Sequence, residues 1–329
     1  MASATSCQRL AIGQPTHVGL ITNMQARNAQ LSDGRWHFQH GPMDIIIGAE
    51  GDALALKVAH AQAWERFVGI LQELVQELPV LRLPIKGACR LRGPIARRMW
   101  LACQPYQNSL QGGFITPMAA VAGSVAQELL QFYQAEGVRR AWINNGGDIA
   151  IHLASDASVR VGWYSNLERL NAEQLQNGLS LDGQWEIRND SLVRGVATSG
   201  WRGRSFSLGI ADSVTVLAAT AAQADAAATV IANAVNINDA RIVRRPACDV
   251  KDDSDLGTTR VTVDVPPLPS ALIKRAVSRG LACALTMRAK GLISSAALVC
   301  QNHCMTTDAA LQPTLENSLK VAASGTEYA

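Results

Sequence analysis

A carboxylate and a hydroxyl four residues apart, Asp225 and Thr229, sit in the run AATAAQADAAATVIANAV. On a helix both share one face near its start. Together they offer hard oxygen ligands of the kind Mg²⁺ or Ca²⁺ prefers. The plain alternative is an acid favoured near a helix N-terminus by the macrodipole alone. Thr220 and Gln223 read as a capping box for that helix, and the strand-like SVTVLA leads into it. Three other segments carry groups suited to a ligand. In 115–123, Thr116 reads as an N-cap and Pro117 as the first helical residue. Small residues at 119, 120, 122, 123 and 126 let a backbone or ligand come close. In 141–151 an apolar strand is interrupted by Asn145-Gly146-Gly147-Asp148, which suggests a bulge, a tight turn or close approach to a ligand. In 196–204, Thr198, Ser199, Arg202 and Arg204 make an inventory for an anion or phosphate.

Other groups have weaker patterns. Asp252, Asp253 and Asp255 form an acidic loop without the ordered spacing of a calcium hand, so a solvated turn is the simpler reading. Strand alternation would put Asp148, Ala150 and His152 on one face, where a His–Asp pair could act as base and orienter. A satisfied, partly buried His is the simpler reading there. Ser199 is not in a Gly-x-Ser-x-Gly elbow, which argues against a serine hydrolase. Cys300, His303 and Cys304 offer three soft ligands with no visible fourth. Arginines gather at 90, 92, 97 and 98 and at 241, 244 and 245, by default as solvated surface.

Taken in order, the four main segments resemble the ApbE family, whose best-known members are flavin transferases. The pattern is a small-residue helix start, an Asn-x-Gly-Gly-Asp strand turn, an Ala-Thr-Ser-Gly strand, and a Thr-Val strand leading to an Ala-Asp-x-x-x-Thr helix. This chain has all four across roughly residues 110–236. It is similar most closely to a lesser-known ApbE-like subgroup, through Gly41-Pro42-Met43, 117–123 and Asp253-Ser254-Asp255-Leu256-Gly257. The resemblance implies a divalent metal, Mg²⁺ first, held by Asp225, Thr229 and a backbone carbonyl at Ala119 or within 119–122. It implies that Asn145, Gly146, Gly147 and Asp148 line the same cleft, and that FAD or FMN is substrate or ligand. The chain departs from the pattern in one interval. Where flavin transferases carry His-Ile-x-Asp-Pro-x-x-Gly, residues 205–212 are shorter and hold neither His nor Pro.

The elements expected to position these residues are a hairpin at Trp36–His40 and Met43–Gly48, then helices at 53–78, 95–103 and 117–136. Strands follow at 138–153, 159–164, 185–187, 192–199, 206–208 and 214–218, with the motif helix at 220–235. A late strand at 261–265 and a helix at 270–290 close the pattern. Strands outnumber βαβ crossovers, so the expected class is α+β, ApbE-like, with a largely antiparallel sheet packed with long helices. The expected organisation is a flexible arm at 1–27, one domain or two intimate halves at 28–304, and a tail at 305–329.

Composition bounds the function. Hydrophobic residues at 48% and charged residues at 17% argue against disorder. A net charge of +3 gives no case for nucleic acid or an anionic membrane. Seven scattered cysteines and an N-terminus without an apolar signal core point to the cytoplasm. The resulting expectation is a metal-dependent ApbE-like enzyme of a flavin, a nucleotide or another small anion, working by transfer or hydrolysis, with a homodimer allowed. Asp148 and Ser199 would be catalytic; Asn145, Gly146, Gly147, Thr198 and Arg202 would bind substrate. Two alternatives stand beside it: a small-molecule hydrolase of a catabolic pathway that lost flavin transfer, and a non-catalytic flavin- or metabolite-binding protein.

Overall fold

The computed structural model describes residues 25–107, 114–163, 180–181, 183–251, 254–308, 319–320 and 326–328. Residues 1–24 of the arm expected at 1–27, residues 108–113 and 164–179, Asp182, Asp252, Asp253 and most of the chain beyond 308 lie outside these residues.

Nine strands of the described residues build one antiparallel sheet. They are β1 (Arg27–Gln30), β2 (Trp36–His40), β3 (Met43–Gly51), β4 (Val138–Asn145), β5 (Asp148–Leu153), β8 (Gly195–Ser199), β9 (Ser213–Ala218), β12 (Ser295–Cys300) and β13 (His303–Thr306), in that spatial order. A smaller sheet pairs β6 (Ser158–Trp163) with β7 (Gly183–Arg188), and a hairpin pairs β10 (Val243–Pro246) with β11 (Arg260–Asp264). Alternation along the main strands decides what covers each face. Ala141, Ile143, Ala150, Val214, Val216 and Leu298 face the helices. Ile149, Ile151, Leu153, Val196, Leu217 and Ala297 face the other way, onto Val159, Val161, Trp185 and Ile187 of the small sheet. The fold is α+β, with helices on one face and a small sheet on the other.

The helices are α1 (Ala53–Leu81), α2 (Pro94–Cys103), α3 (Val121–Leu130), α4 (Ala221–Ala234), the short α5 (Ala247–Val250) and α6 (Ser270–Ala289). The α4 helix lies at the centre of this layer. Ala221, Ala222, Ala224, Ala226, Ala227 and Ala228 are all buried, so a helix nearly apolar all round packs against α3, β8, β9 and α6. Thr220 caps it as expected, its Oγ1 accepting from the Gln223 N–H at 3.2 Å.

Several expected elements differ. The helix expected to stop before Pro79 continues to Leu81, because only one late intrahelical bond is lost and Leu81 is fully buried. The single helix expected over 117–136 is a 3₁₀ turn (Pro117–Ala120), then α3, then another 3₁₀ turn (Gln131–Tyr133). The break comes at Ala120, whose φ of −133° and ψ of 19° leave the helical region. The strand expected over 206–208 does not form. The Leu208 N–H and the Ser207 hydroxyl both donate to Asn233 Oδ1 of α4, at 2.8 and 3.1 Å, instead of joining a ladder. The tail expected from residue 305 begins later, since Met305 and Thr306 still pair with β12 and Thr307 is buried. No helix of the described residues is long and apolar enough to cross a membrane.

Candidate functional site

A cleft of about 720 Å³ opens where α4, the Thr116–Ala122 segment and the β4–β5 turn meet. Its polar lining includes Arg82, Thr116, Asp148, Arg204, Asp225, Thr229, Asn233, Lys251 and Asp255, and Ala119 also lines it. One wall is apolar, with Leu71, Leu74 and Leu78 of α1 facing Phe114, Phe206 and Leu256. Asp225 and Thr229 reach the cleft from one helix face, as their spacing predicts.

Asp225 arrives there because α3 and α4 touch backbone to backbone. A Cβ on Gly123 would overlap the Ala221 carbonyl, so only glycine allows this approach. The approach brings the Asp225 carboxylate onto the start of α3, where Oδ2 accepts the Gly123 N–H at 2.9 Å. Burial pushes this carboxyl up to about 7, against the lowering effect of the N–H groups of Gly123 and Ala122.

Asp148 comes from the opposite side. Gly146 and Gly147 turn the chain between β4 and β5 with φ of 69° and 107°, in the left-handed region that favours glycine. The Gly147 N–H donates to Asn144 Oδ1 at 2.8 Å, which pins the turn. Asn145 reaches across and donates from Nδ2 to the Ala122 carbonyl at 3.1 Å, tying the turn to the start of α3. Asp148 is 9% exposed and its Oδ1 has no hydrogen-bond partner. Burial, and then the charge of Asp225, raise its carboxyl well above the usual carboxylate range; the Thr198 N–H and the Arg204 guanidinium oppose this. Among the described residues neither acid is held in a salt bridge, although Arg82, Arg204 and Lys251 line the same cleft.

The remaining expected residues take up different stations. Thr198 stands behind Asp148, its N–H toward the carboxylate and its hydroxyl 3.0 Å from that of Thr215. Gly146 faces Arg204, whose guanidinium occupies the space a side chain at 146 would need. Ser199 pairs with Val214 in the ladder and is not among the residues lining the cleft. Arg202 is not among them either: its Nε lies 3.3 Å from Asp212 and its guanidinium 4.9 Å from the Trp201 ring centre. Arg204, two residues on, is the arginine that enters. His152 makes no pair with Asp148, since its Nε2 lies 3.3 Å from the Val138 carbonyl. The acidic loop departs from the solvated-turn reading. Asp255 lines the cleft and accepts the Thr116 hydroxyl at 2.7 Å, so Thr116 does not cap its own helix with its side chain. The shortened interval 205–212 also contributes, with Ser205, Phe206 and Leu208 in the wall.

Nothing in the local sequence marks Arg204 over Arg202, or Leu71, Leu74 and Leu78 as a cleft wall. The last three follow the helical period of a core face, and only the tertiary fold opens that face to a cavity.

A family model described as "AbpE bacteria" matches residues 28–307. The chain belongs to this ApbE-like family. A UPF0280 protein of Methanothermobacter thermautotrophicus is 39% identical over 167 residues, covering 50% of this chain and 58% of that protein. Another, from Methanosarcina barkeri, is 37% identical over 215 residues, 61% of this chain and 72% of the relative. The chain spans 47% to 58% of the length of the first three curated relatives. Among solved structures, the apo flavinyl transferase ApbE of Pseudomonas stutzeri is similar with a TM-score of 0.42 and 12% identity, over 87% of this chain and 94% of that one. The flavin transferase ApbE of Vibrio cholerae gives a TM-score of 0.33 and 11% identity, over 85% and 96%.

The oxygen groups of Asp225 and Thr229 in this ApbE-like cleft are of the type a hard divalent cation takes. Among the described residues no group of three or more His, Cys, Asp or Glu side chains could hold a metal. A cation here would need the mixed oxygen set of carboxylate, hydroxyl and carbonyl that Asp225, Thr229 and Ala119 offer. The buried, unpartnered Asp148 Oδ1 leaves room for one more donor from a ligand or its water shell.

Proposed function

We propose that this ApbE-like chain binds a flavin nucleotide in the 720 Å³ cleft and cleaves its phosphoanhydride bond, transferring the flavin-bearing phosphate to an acceptor hydroxyl. The volume is in the range of about 300–1,000 Å³ common for small-molecule sites. The observation that carries the reading is the convergence of Asp148, buried, and Asp225, partly buried, both raised by burial, in a cleft with one apolar wall. The apolar side at Leu71, Leu74, Leu78, Phe114 and Phe206 suits a flat ring system and keeps water from it. Asp225, Thr229 and the Ala119 carbonyl would hold Mg²⁺, which when bound supplies Lewis-acid neutralisation of phosphate oxygens. Arg204 would add a fixed positive charge beside the phosphates. Asp148, raised well above the usual carboxylate range, suits acceptance of the proton from the attacking hydroxyl as its oxygen bonds to phosphorus. The bond to the departing nucleoside phosphate breaks in the same displacement.

Release to water is the second reading, and the 205–212 interval favours it, because it has neither the His nor the Pro of the transferase pattern. Incubation with FAD and Mg²⁺, followed by phosphorus NMR, tests both. AMP formation that requires Mg²⁺ and disappears in Asp225→Asn supports phosphoanhydride chemistry. Free FMN appearing with the AMP assigns water as acceptor. Unchanged FAD, with no thermal shift in the presence of Mg²⁺, overturns the proposal.

A further inference from the structure

Between Ala224 and Asn233 the α4 helix is buried except at Asp225, Thr229 and Asn233. These residues are spaced by four, share one helix face and all line the cleft. Asp225 and Thr229 would hold Mg²⁺; Asn233 has no part in that chemistry. The helical rise places it one turn, about 6 Å, beyond Thr229. A ligand anchored through phosphate at Asp225 and Thr229 would meet Asn233 with a group further along its length.

Asn233 differs from an ordinary asparagine in a cleft wall. Its Oδ1 accepts the Leu208 N–H at 2.8 Å and the Ser207 hydroxyl at 3.1 Å. A backbone N–H can only donate, so the fold fixes which end of the amide faces residues 207 and 208. A carbonyl oxygen has two lone pairs, and both are engaged there. The Nδ2 group makes no hydrogen bond among the described residues and is not buried. Asn233 therefore offers the cleft N–H donors and no acceptor. Its place matters as well, because the backbone it holds carries Phe206 and Leu208 into the same cleft wall. An apolar surface packs a flat ring without fixing its direction, and one polar group placed beside that surface can fix it.

We infer that Asn233 determines which ring the cleft accepts, by donating from Nδ2 to a carbonyl oxygen on the ring edge. The inference rests on the flavin-nucleotide reading of the cleft and names the residue that would recognise the ring. A ring edge presenting only donors at this point would leave donors unpaired on both sides.

Calorimetric titration of the full chain with FMN and with inorganic pyrophosphate, both in Mg²⁺, tests the inference in the wild type and in Asn233→Asp. The aspartate keeps an acceptor for residues 207 and 208, removes the Nδ2 donors and adds one negative charge. Pyrophosphate has no ring and reports the effect of that charge. FMN affinity is expected to fall at least about tenfold in Asn233→Asp, and pyrophosphate affinity by less than about threefold. The wild type is also expected to bind 2-thio-FMN or 4-thio-FMN at least about threefold more weakly than FMN, since sulfur is a weak acceptor. Asn233→Asp should bind all three flavins alike. The thio-flavins in the wild type carry the test if the variant fails to fold. Equal weakening of FMN and pyrophosphate would reduce Asn233 to a structural tie and overturn the inference. So would wild-type affinities that ignore both sulfur substitutions. In either case, FMN binding that requires Asp225 leaves the flavin-nucleotide reading standing. Failure of the wild type to bind FMN removes both.

Discussion

The α3 helix handles buried charge in two opposite ways at its two ends. Near its C-terminus Glu128, only 5% exposed, is clasped by Arg66 at 2.8 Å and Arg98 at 2.9 Å, and Arg66 also holds Glu73 at 2.7 Å. Two arginines answer two acids, and the group is neutral. At the helix start, Asp225 and Asp148 have two backbone donors, one N–H and the distant influence of Arg204 between them. The first cluster is a charge-balanced structural joint between α1, α2 and α3. In the second, among the described residues, neither acid has a salt-bridge partner, and folding alone does not explain acids left unpaired there, since an unpaired buried charge opposes it. The contrast shows why burial of an acid is no sign of function by itself. The imbalance around it is the sign.

The comparison breaks most sharply at Glu128. Glu128→Ala leaves two partly buried guanidinium groups facing each other, and should cost about 3 kcal/mol of stability, measured by denaturant unfolding. An equal loss from Asp148→Asn would erase the distinction. That variant should instead keep its melting temperature while the turnover rate falls about a hundredfold.

The pH dependence of stability sharpens the same point. The Asp225 carboxyl is at about 7 when folded and near 3.8 when unfolded, so between these values the folded chain holds a proton that the unfolded chain has released. Metal-free stability should therefore fall as pH rises from about 4 to about 7 and level off above. Asp225→Asn should flatten this component, and Mg²⁺ should stabilise the wild type more at pH 8 than at pH 5 because it binds the deprotonated form. A slope that is the same in both proteins would remove Asp225 as its source.

The two arginines of the 200–205 turn give the smaller tests. Arg204→Gln should lower turnover about tenfold through loss of one charge-assisted contact. Arg202→Gln should change stability by less than about 1 kcal/mol, as expected for a half-exposed ion pair with Asp212, and leave turnover near that of the wild type. The reverse ranking would return the anion-binding role to Arg202.

The parts of the molecule that were legible in the sequence are those set by short spacing. Asp225 and Thr229 lie one helical turn apart, the paired glycines before Asp148 require a tight turn, and Thr220 with Gln223 marks where α4 begins. The choice between Arg202 and Arg204 was not legible, because it depends on Asp212 and Trp201 drawing the first arginine aside. The strand β12 was missed because it is buried at all six positions, which leaves no alternation to read. Asp255 looked like a solvated acid because its partner, Thr116, lies 139 residues away.

The fastening of the 205–212 interval bears on how such a protein can diversify. Asn233 takes the Ser207 hydroxyl and the Leu208 N–H, and Asn236 donates from Nδ2 to the Leu208 carbonyl at 2.7 Å. The cleft-facing residues Ser205, Phe206 and Leu208 thus ride on a short panel latched to the far end of α4 by two asparagines. A panel held at its own clasp can be exchanged for a longer or differently charged one while the acids and the glycine turn stay in place. Substrate choice and catalytic machinery then become separately heritable parts of one scaffold.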